Sequence, residues 1–322
     1  MTDDAGDDAS HPSNGGSAAG DGSGAGDGRA AGDGRAAGDG RAAGDGRAAG
    51  DGRAAGDGRL TGGAAGVADA PRIVLAARRD GPAALWLIRH GQSEGNVIRD
   101  EAERRQAAEY VLETRDADVP LSDLGREQAA AFGRWLAEQP RELQPDVVLV
   151  SPYLRAAQTA DIVLETAGLQ GLPRGVDERL RDREMGQWDG LTWRGIVARH
   201  PEEADRAKLV GRFFHRPAGG ESWADICLRL RSLLADVAHE LSGRRVLVVA
   251  HDVVIQLVRV LLDGMSEADA VELVTTTSYA NCGLTTLERG DQGLGLERYN
   301  WTVPVREQGE QPTRSPDAPA GR

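Results

Sequence analysis

The sequence predicts an α/β domain: a three-layer α/β/α sandwich around a mostly parallel sheet. Between residues 84 and 301, short apolar runs alternate with stretches of helical spacing, and three of those runs end in the same kind of cationic residues. Strands buried on both faces read as continuous apolar runs, and the crossover helices cover those faces. The aromatic residues limit the number of domains. The chain has 322 residues but only 6 Trp, 4 Tyr and 3 Phe, and Trp86 is the first of them. Residues 71–301 are therefore expected to form one domain between two disordered tails, 1–70 and 302–322.

Taken in order, the N-terminal tail holds six tandem GDGR units joined by Ala-Ala, beginning at Gly26 and ending with the unit at Gly56. Glycine loses much entropy on ordering, and no large side chain there buries area to offset it. A collagen reading fails because glycine does not recur at every third position, and a calcium-binding β-roll lacks large apolar residues. Arg72–Ala77 and Ala84–Ile88 read as strands. The charged segment Val97–Val119 is expected to form a lid, helical over Ala102–Leu112. Ser122 is a good N-cap for a helix to Gln139, with Leu124, Ala131, Trp135 and Leu136 at helical spacing. Asp146–Val150 reads as a buried strand, and the helix after Ser151-Pro152 runs to about Ala167, with Gly168 to close it.

Short helices are expected at Thr192–His200 and over Pro201–Leu209, and a longer one over Glu221–Leu241. In the last, Trp223, Ile226, Leu230, Leu233, Leu234 and Val237 fall on one stripe. Arg245–Ala250 is the clearest strand, Val253–Leu262 a helix, and Gly283–Glu288 with Leu294–Trp301 a terminal hairpin.

Charge and composition exclude several functions. The formal net charge is −13, and residues 71–301 remain acidic without the tails. No broad positive field attracts nucleic acid or an anionic membrane, whereas a small phosphorylated metabolite needs only two or three local cations. No apolar run approaches the ~20 residues of a spanning helix. The start, MTDDAGDDASHP, lacks the apolar core of a secretory signal, and Cys227 and Cys282 are far apart. A reduced, cytoplasmic setting is expected.

The strand ends carry the chemistry. Leu85–Ile88 is followed by Arg89-His90-Gly91, Val147–Val150 by Ser151-Pro-Tyr-Leu-Arg155, and Val246–Ala250 by His251-Asp252. Ligands of parallel sheets sit beyond the carboxyl ends of the strands. Two guanidiniums and an imidazolium suit a tetrahedral dianion, since arginine offers forked donors and stays charged. A second, neutral imidazole beside them is available as a nucleophile toward phosphorus. Gly91 is expected to let the backbone approach the substrate closely, and Asn96 to add an amide donor. No GxxxxGK[ST], HExxH or acidic metal-binding loop is present, so a mechanism without metal or cofactor is expected.

RHGQSEGN at 89–96, PLSDLGREQA at 120–129, SPYLRAAQTA at 151–160 and VVAHDVVI at 248–255 resemble the histidine phosphatase (phosphoglycerate mutase-like) superfamily. The resemblance runs from about Trp86 to the last strands, and HRPAGGESWADICLRLRSLL from His215 is similar to the GES loop of its phosphatase branch. It implies that His90 becomes phosphohistidine, that Arg89, Asn96 and Arg155 bind the phosphate, and that His251 stabilises the transferring group. Two positions depart from the pattern. Asp252 stands where the family has Gly, and is expected to turn away and cap the next helix. In LRDREMGQWDG the general acid, ordinarily Glu, falls on Asp182, with Glu184 as the rival. Glu221 and Ser222 are candidates to touch substrate, Ser222 equally to cap a helix. The implied activity is metal-independent hydrolysis of a phosphomonoester; a phosphoglycerate mutase and a non-catalytic phospho-ligand-binding module are the alternatives.

Overall fold

The computed structural model describes residues 80–314. The repeat tail, the expected strand Arg72–Ala77 and residues 315–322 lie outside them. Three apolar runs form the centre of a sheet: β1 (Ala84–Arg89), β2 (Val147–Val150) and β4 (Arg245–Ala250), with the short β3 (Arg174–Val176) beside β2. The hairpin β5 (Leu284–Gly290) and β6 (Gly293–Trp301) completes the order β3-β2-β4-β1-β5-β6. The first four strands are parallel and the hairpin antiparallel.

Alternation along each strand divides the core into two. Leu85 and Leu87 of β1, with Val246, Val248 and Ala250 of β4, face one cluster; Ala84, Trp86 and Ile88, with Leu247 and Val249, face the other. Helices α6 (Trp223–Glu240) and α7 (Asp252–Asp263) close the first face through Ile226, Leu230, Val254 and Leu257. Helices α2 (Asp123–Ala137) and α3 (Leu154–Thr166) close the second through Phe132, Leu136, Ala160 and Val163. Each large apolar side chain so buried contributes about 1.5–3 kcal/mol. The three-layer sandwich is thus the consequence of strands apolar on both sides.

The sheet register positions the polar strand ends. Arg89 pairs with Ala250 and Val150 with Val249. One residue further on, His90 N–H donates to Ala250 O at 2.9 Å and Ser151 N–H to Val249 O at 3.0 Å. Residues 90, 151 and 251 therefore leave the sheet together, at the edge expected from the sequence.

Two local expectations differ, and one strand was not expected. The helix after β1 is α1 (Glu94–Arg104), not Ala102–Leu112. Ser93 and Asn96 form a reciprocal capping box there, and Gln106, at φ 55°, ends the run. β3 is three residues long and largely exposed, too short for a periodic signal. On sequence the folded part ends at Trp301, yet the chain continues as a turn of helix, Val303–Glu307, with Val305 buried in the second cluster. Beyond it, Gln128 Nε2 donates to Gln311 O at 2.8 Å and Thr313 Oγ1 to Asn281 Oδ1 at 2.8 Å. Single apolar residues among Pro, Glu and Gln hid this strap. Among the described residues no helix is long and apolar enough to cross a membrane.

Candidate active site

The first segment of the site is the loop after β1. His90 is fully buried, and its Nδ1 lies 2.6 Å from Gly91 O. A carbonyl only accepts, so Nδ1 carries the proton and the lone pair resides on Nε2. The loop is held by Gly91 N–H donating to Thr159 Oγ1 at 3.0 Å and by Asn281 Nδ2 donating to His90 O at 3.0 Å. Packing also requires glycine at 91. A Cβ there would meet Gly125 O at 2.3 Å, and one on Gly125 would meet Gln92 O at 1.9 Å. The space beside Gly91 is taken by the first turn of α2.

His251 leaves β4 as the N-cap residue of α7. Its ring centroid is 5.2 Å from that of His90, edge to face. Nε2 lies 2.8 Å from Ser151 Oγ, and Nδ1 lies 3.3 Å from Asp182 Oδ2. The carboxylate beside Nδ1 favours a proton on that nitrogen. Asp252 turns into α7 and accepts from the N–H of Val253, so its charge sits on the helix N-terminus.

Arg155, in the first turn of α3, completes the cluster. Its Nη2 donates to Asp182 Oδ2 at 2.8 Å, and its guanidinium lies 4.9 Å over the Tyr153 ring. Tyr153 in turn packs edge-on against His251 at 5.3 Å. Burial, then the charges of Asp182, Asp116 and Glu184, push the Tyr153 hydroxyl well above its usual range, so it stays protonated. Arg89 is fully buried and donates through Nη1 to Tyr279 O at 2.6 Å. Asn96 is buried on α1, where its Oδ1 accepts from Ser93 N–H at 3.1 Å.

The two rival acids separate clearly. Asp182 is buried and touches both Arg155 and His251. Glu184 is exposed, and its carboxylate accepts from Gly186 N–H at 3.3 Å. The loop bearing both is braced by Glu221. That carboxylate accepts from Arg181 Nη2 at 2.5 Å, Arg229 Nε at 3.0 Å and Glu184 N–H at 3.2 Å. Glu221 thus holds the acid loop, and Ser222 caps α6 in a capping box with Asp225. His215 stacks on Trp188 at 4.8 Å and lies near Glu203. Burial lowers its pKa.

Ser151, Tyr153, Asn281 and Asp116 were not singled out on sequence. Ser151 and Tyr153 lie inside SPYLR and were within reach of the strand-end argument. Asn281 follows α8 (Glu267–Thr276), in a loop without periodic signal. Asp116 stands in the 3-10 turn Asp116–Asp118; its carbonyl accepts from Arg155 Nη1 at 2.6 Å and its Oδ2 from Nη2 at 3.1 Å. Two imidazoles, Arg155 and a carboxylate therefore converge at the ends of adjacent strands, and Arg89, next to His90 in the chain, has its guanidinium on Tyr279 O.

Residues 85–302 match the family model of the histidine phosphatase superfamily, branch 1. The chain is 33% identical over 199 residues to a 2,3-bisphosphoglycerate-dependent phosphoglycerate mutase of Chelativorans sp. (strain BNC1), covering 60% of this chain and 87% of the relative. It is 33% identical over 190 residues to a glucosyl-3-phosphoglycerate phosphatase of Mycolicibacterium vanbaalenii, covering 56% and 74%. Among solved structures, a mycobacterial glucosyl-3-phosphoglycerate phosphatase superposes with a TM-score of 0.52 at 29% identity, covering 68% of this chain and 99% of that one. The alpha-ribazole phosphatase of Shigella flexneri has the same fold, with a TM-score of 0.55 at 24% identity and coverage of 68% and 96%.

Proposed function

The chain belongs to the histidine phosphatase superfamily, and from that premise we propose that it hydrolyses a small phosphomonoester through a phosphohistidine on His90. The observation that carries this reading is Asp182, whose one oxygen reaches both Arg155 and His251 beside the His90 ring. The phosphoryl group is bound by Arg89, Arg155 and His251, with Asn96 adding amide donors, its oxygen being used by the helix cap. His90 Nε2 attacks phosphorus while the ester P–O bond breaks, and protonated Asp182 gives its proton to the departing oxygen. A bound dianion offsets the Arg155 charge and so raises the proton affinity of the neighbouring carboxyl group. Water then delivers a proton to Asp182 as its oxygen attacks phosphorus, the P–Nε2 bond breaks and phosphate departs.

Hydrolysis is favoured over phosphoryl retention by the acids around Arg155. A bisphosphorylated intermediate adds a second dianion to a pocket whose Arg155 already meets the carboxylates of Asp116 and Asp182. The second reading, a phosphoglycerate mutase, is supported by the similarity to the Chelativorans mutase. The test is 3-phosphoglycerate with and without 2,3-bisphosphoglycerate. Phosphate release without isomerisation is expected, and efficient isomerisation with little release would overturn the choice. His90→Ala should abolish turnover of p-nitrophenyl phosphate while leaving the melting curve in place. Undiminished turnover would remove His90 from the mechanism, and no turnover by the wild type would favour a non-catalytic binding module.

A further inference from the structure

Asp116 grips Arg155 with two atoms, its backbone carbonyl at 2.6 Å and its carboxylate at 3.1 Å. The two side chains differ sharply in exposure, 4% for Arg155 and 34% for Asp116. Asp116 therefore stands on the solvent side of the guanidinium. The turn that carries it is closed by Asp118 N–H donating to Arg115 O at 2.8 Å and by the Arg115–Asp118 ion pair. Glu184 and Asp116 both act on the Tyr153 hydroxyl. Asp116 and Asp182 thus flank Arg155 from separate segments.

A phosphoryl group on Arg155 Nη2 has the Asp116 carboxylate, 3.1 Å from that nitrogen, as its neighbour, and a leaving group that extends from it toward solvent passes Asp116. A carboxylate accepts hydrogen bonds from hydroxyl or ammonium groups and repels a second anion. In a partly desolvated site that repulsion is stronger than in water. Resting on the hydrolase reading above, we propose that Asp116 is a specificity-determining residue: it selects phosphomonoesters whose leaving group offers a neutral hydrogen-bond donor, as a polyol does, over those carrying a second carboxylate or phosphate.

Matched substrate pairs test this. Glycerol 3-phosphate differs from 3-phosphoglycerate, and glycerol 2-phosphate from 2-phosphoglycerate, in one hydroxymethyl group exchanged for a carboxylate. The full chain should prefer the polyol member of each pair in kcat/KM by about tenfold or more. Asp116→Asn relieves Arg155 of a competing anion and so raises turnover of both members, but the acid member gains more, and the ratio falls about tenfold. Asp116→Glu should retain the preference, and Asp116→Ser should reproduce the loss. A wild-type enzyme that prefers the acid member of both pairs, or an Asp116→Asn variant whose ratio is unchanged, overturns the proposal. Failure to hydrolyse either pair or p-nitrophenyl phosphate overturns the hydrolase reading itself, and this inference with it.

Discussion

Replacing Asp182 by Asn examines the general acid with little change in shape. In the wild type Asp182 Oδ1 accepts from Arg183 N–H at 2.8 Å, and Oδ2 accepts from Arg155 Nη2 at 2.8 Å while lying 3.3 Å from His251 Nδ1. An amide keeps one of these acceptors and turns an N–H toward a donor at the other. The lost charge-assisted bond is worth about 1.5–3 kcal/mol. Asp116 still accepts from Arg155, so the ~3–5 kcal/mol penalty of an uncompensated buried charge does not arise. A stability loss of about 1–3 kcal/mol is expected, measured as a shift in the urea midpoint. Catalysis should respond by leaving group. An alkoxide must be protonated as it departs, and losing the acid should lower kcat/KM for glycerol 3-phosphate by about 100- to 10,000-fold. p-Nitrophenolate leaves without a proton, so kcat/KM for its phosphate should fall less than about tenfold. Glu184→Gln should change neither by more than about threefold. If Asp182→Asn lowers both substrates alike, or if Glu184→Gln is the variant that selectively loses the alkyl ester, the assignment of the acid is wrong.

Four further outcomes follow from packing and ionisation. Gly125→Ala would set a Cβ 1.9 Å from Gln92 O, backbone against backbone, and should cost more than ~3 kcal/mol by urea unfolding. Gly168→Ala, with open space around its Cβ but φ of 68°, should cost only about 1 kcal/mol. Val305→Ala removes a fully buried side chain from beneath α2 and should destabilise by about 1–3 kcal/mol; no change in midpoint would mean that the C-terminal strap does not support the domain. Burial acts to raise the Asp225 carboxyl pKa, but hydrogen bonds from Arg216 and Ser222 prevail and hold it down at about 2. Its contribution is therefore present above the unfolded carboxyl pKa of about 3.8 and is lost as pH falls toward 2. Because Arg216 is largely exposed, screening reduces the contribution to about 1 kcal/mol. Asp225→Asn should flatten the stability profile over that acid range, and an unchanged slope would contradict it.

Strand positions were legible because the physics is local. Leu85–Ile88 and Val246–Ala250 are apolar on both faces, a pattern an amphipathic helix does not carry. Once the strands are parallel, the convergence of residues 90, 151 and 251 follows without knowledge of any loop. What escaped was settled by single contacts. The capping box of Ser93 moved the helix start to Glu94. One buried Val305 extended the domain past Trp301 in a stretch whose composition reads as solvated. Gly91 was noticed, but the backbone that approaches it belongs to Gly125, 34 positions away, and spacing carries no record of such contacts.

The acid could not be decided on sequence for a related reason. Asp182 and Glu184 are two residues apart in a loop of irregular backbone, where neither the 3.6 nor the 2.0 period assigns a face. Their separation comes from a remote group, Glu221, which binds Arg181 on one side of the pair and Glu184 N–H on the other. Arg229 adds a hold on Asp182 O at 3.2 Å and on Arg179 O at 2.5 Å. With the backbone pinned at 179, 182 and 184 and the Arg181 side chain held by Glu221, the Asp182 side chain is directed at Arg155 and the Glu184 side chain at solvent. The carboxylate that braces this loop, Glu221, was on sequence a candidate for touching the substrate. With Asp182 as the proposed acid, Glu221 acts on the chemistry through it. Its replacement by Gln should lower kcat/KM selectively for alkyl phosphates, as Asp182→Asn does, with the larger share of the loss in kcat rather than KM. A Glu221→Gln variant that weakened substrate binding alone, with kcat intact on glycerol 3-phosphate, would return Glu221 to direct substrate contact.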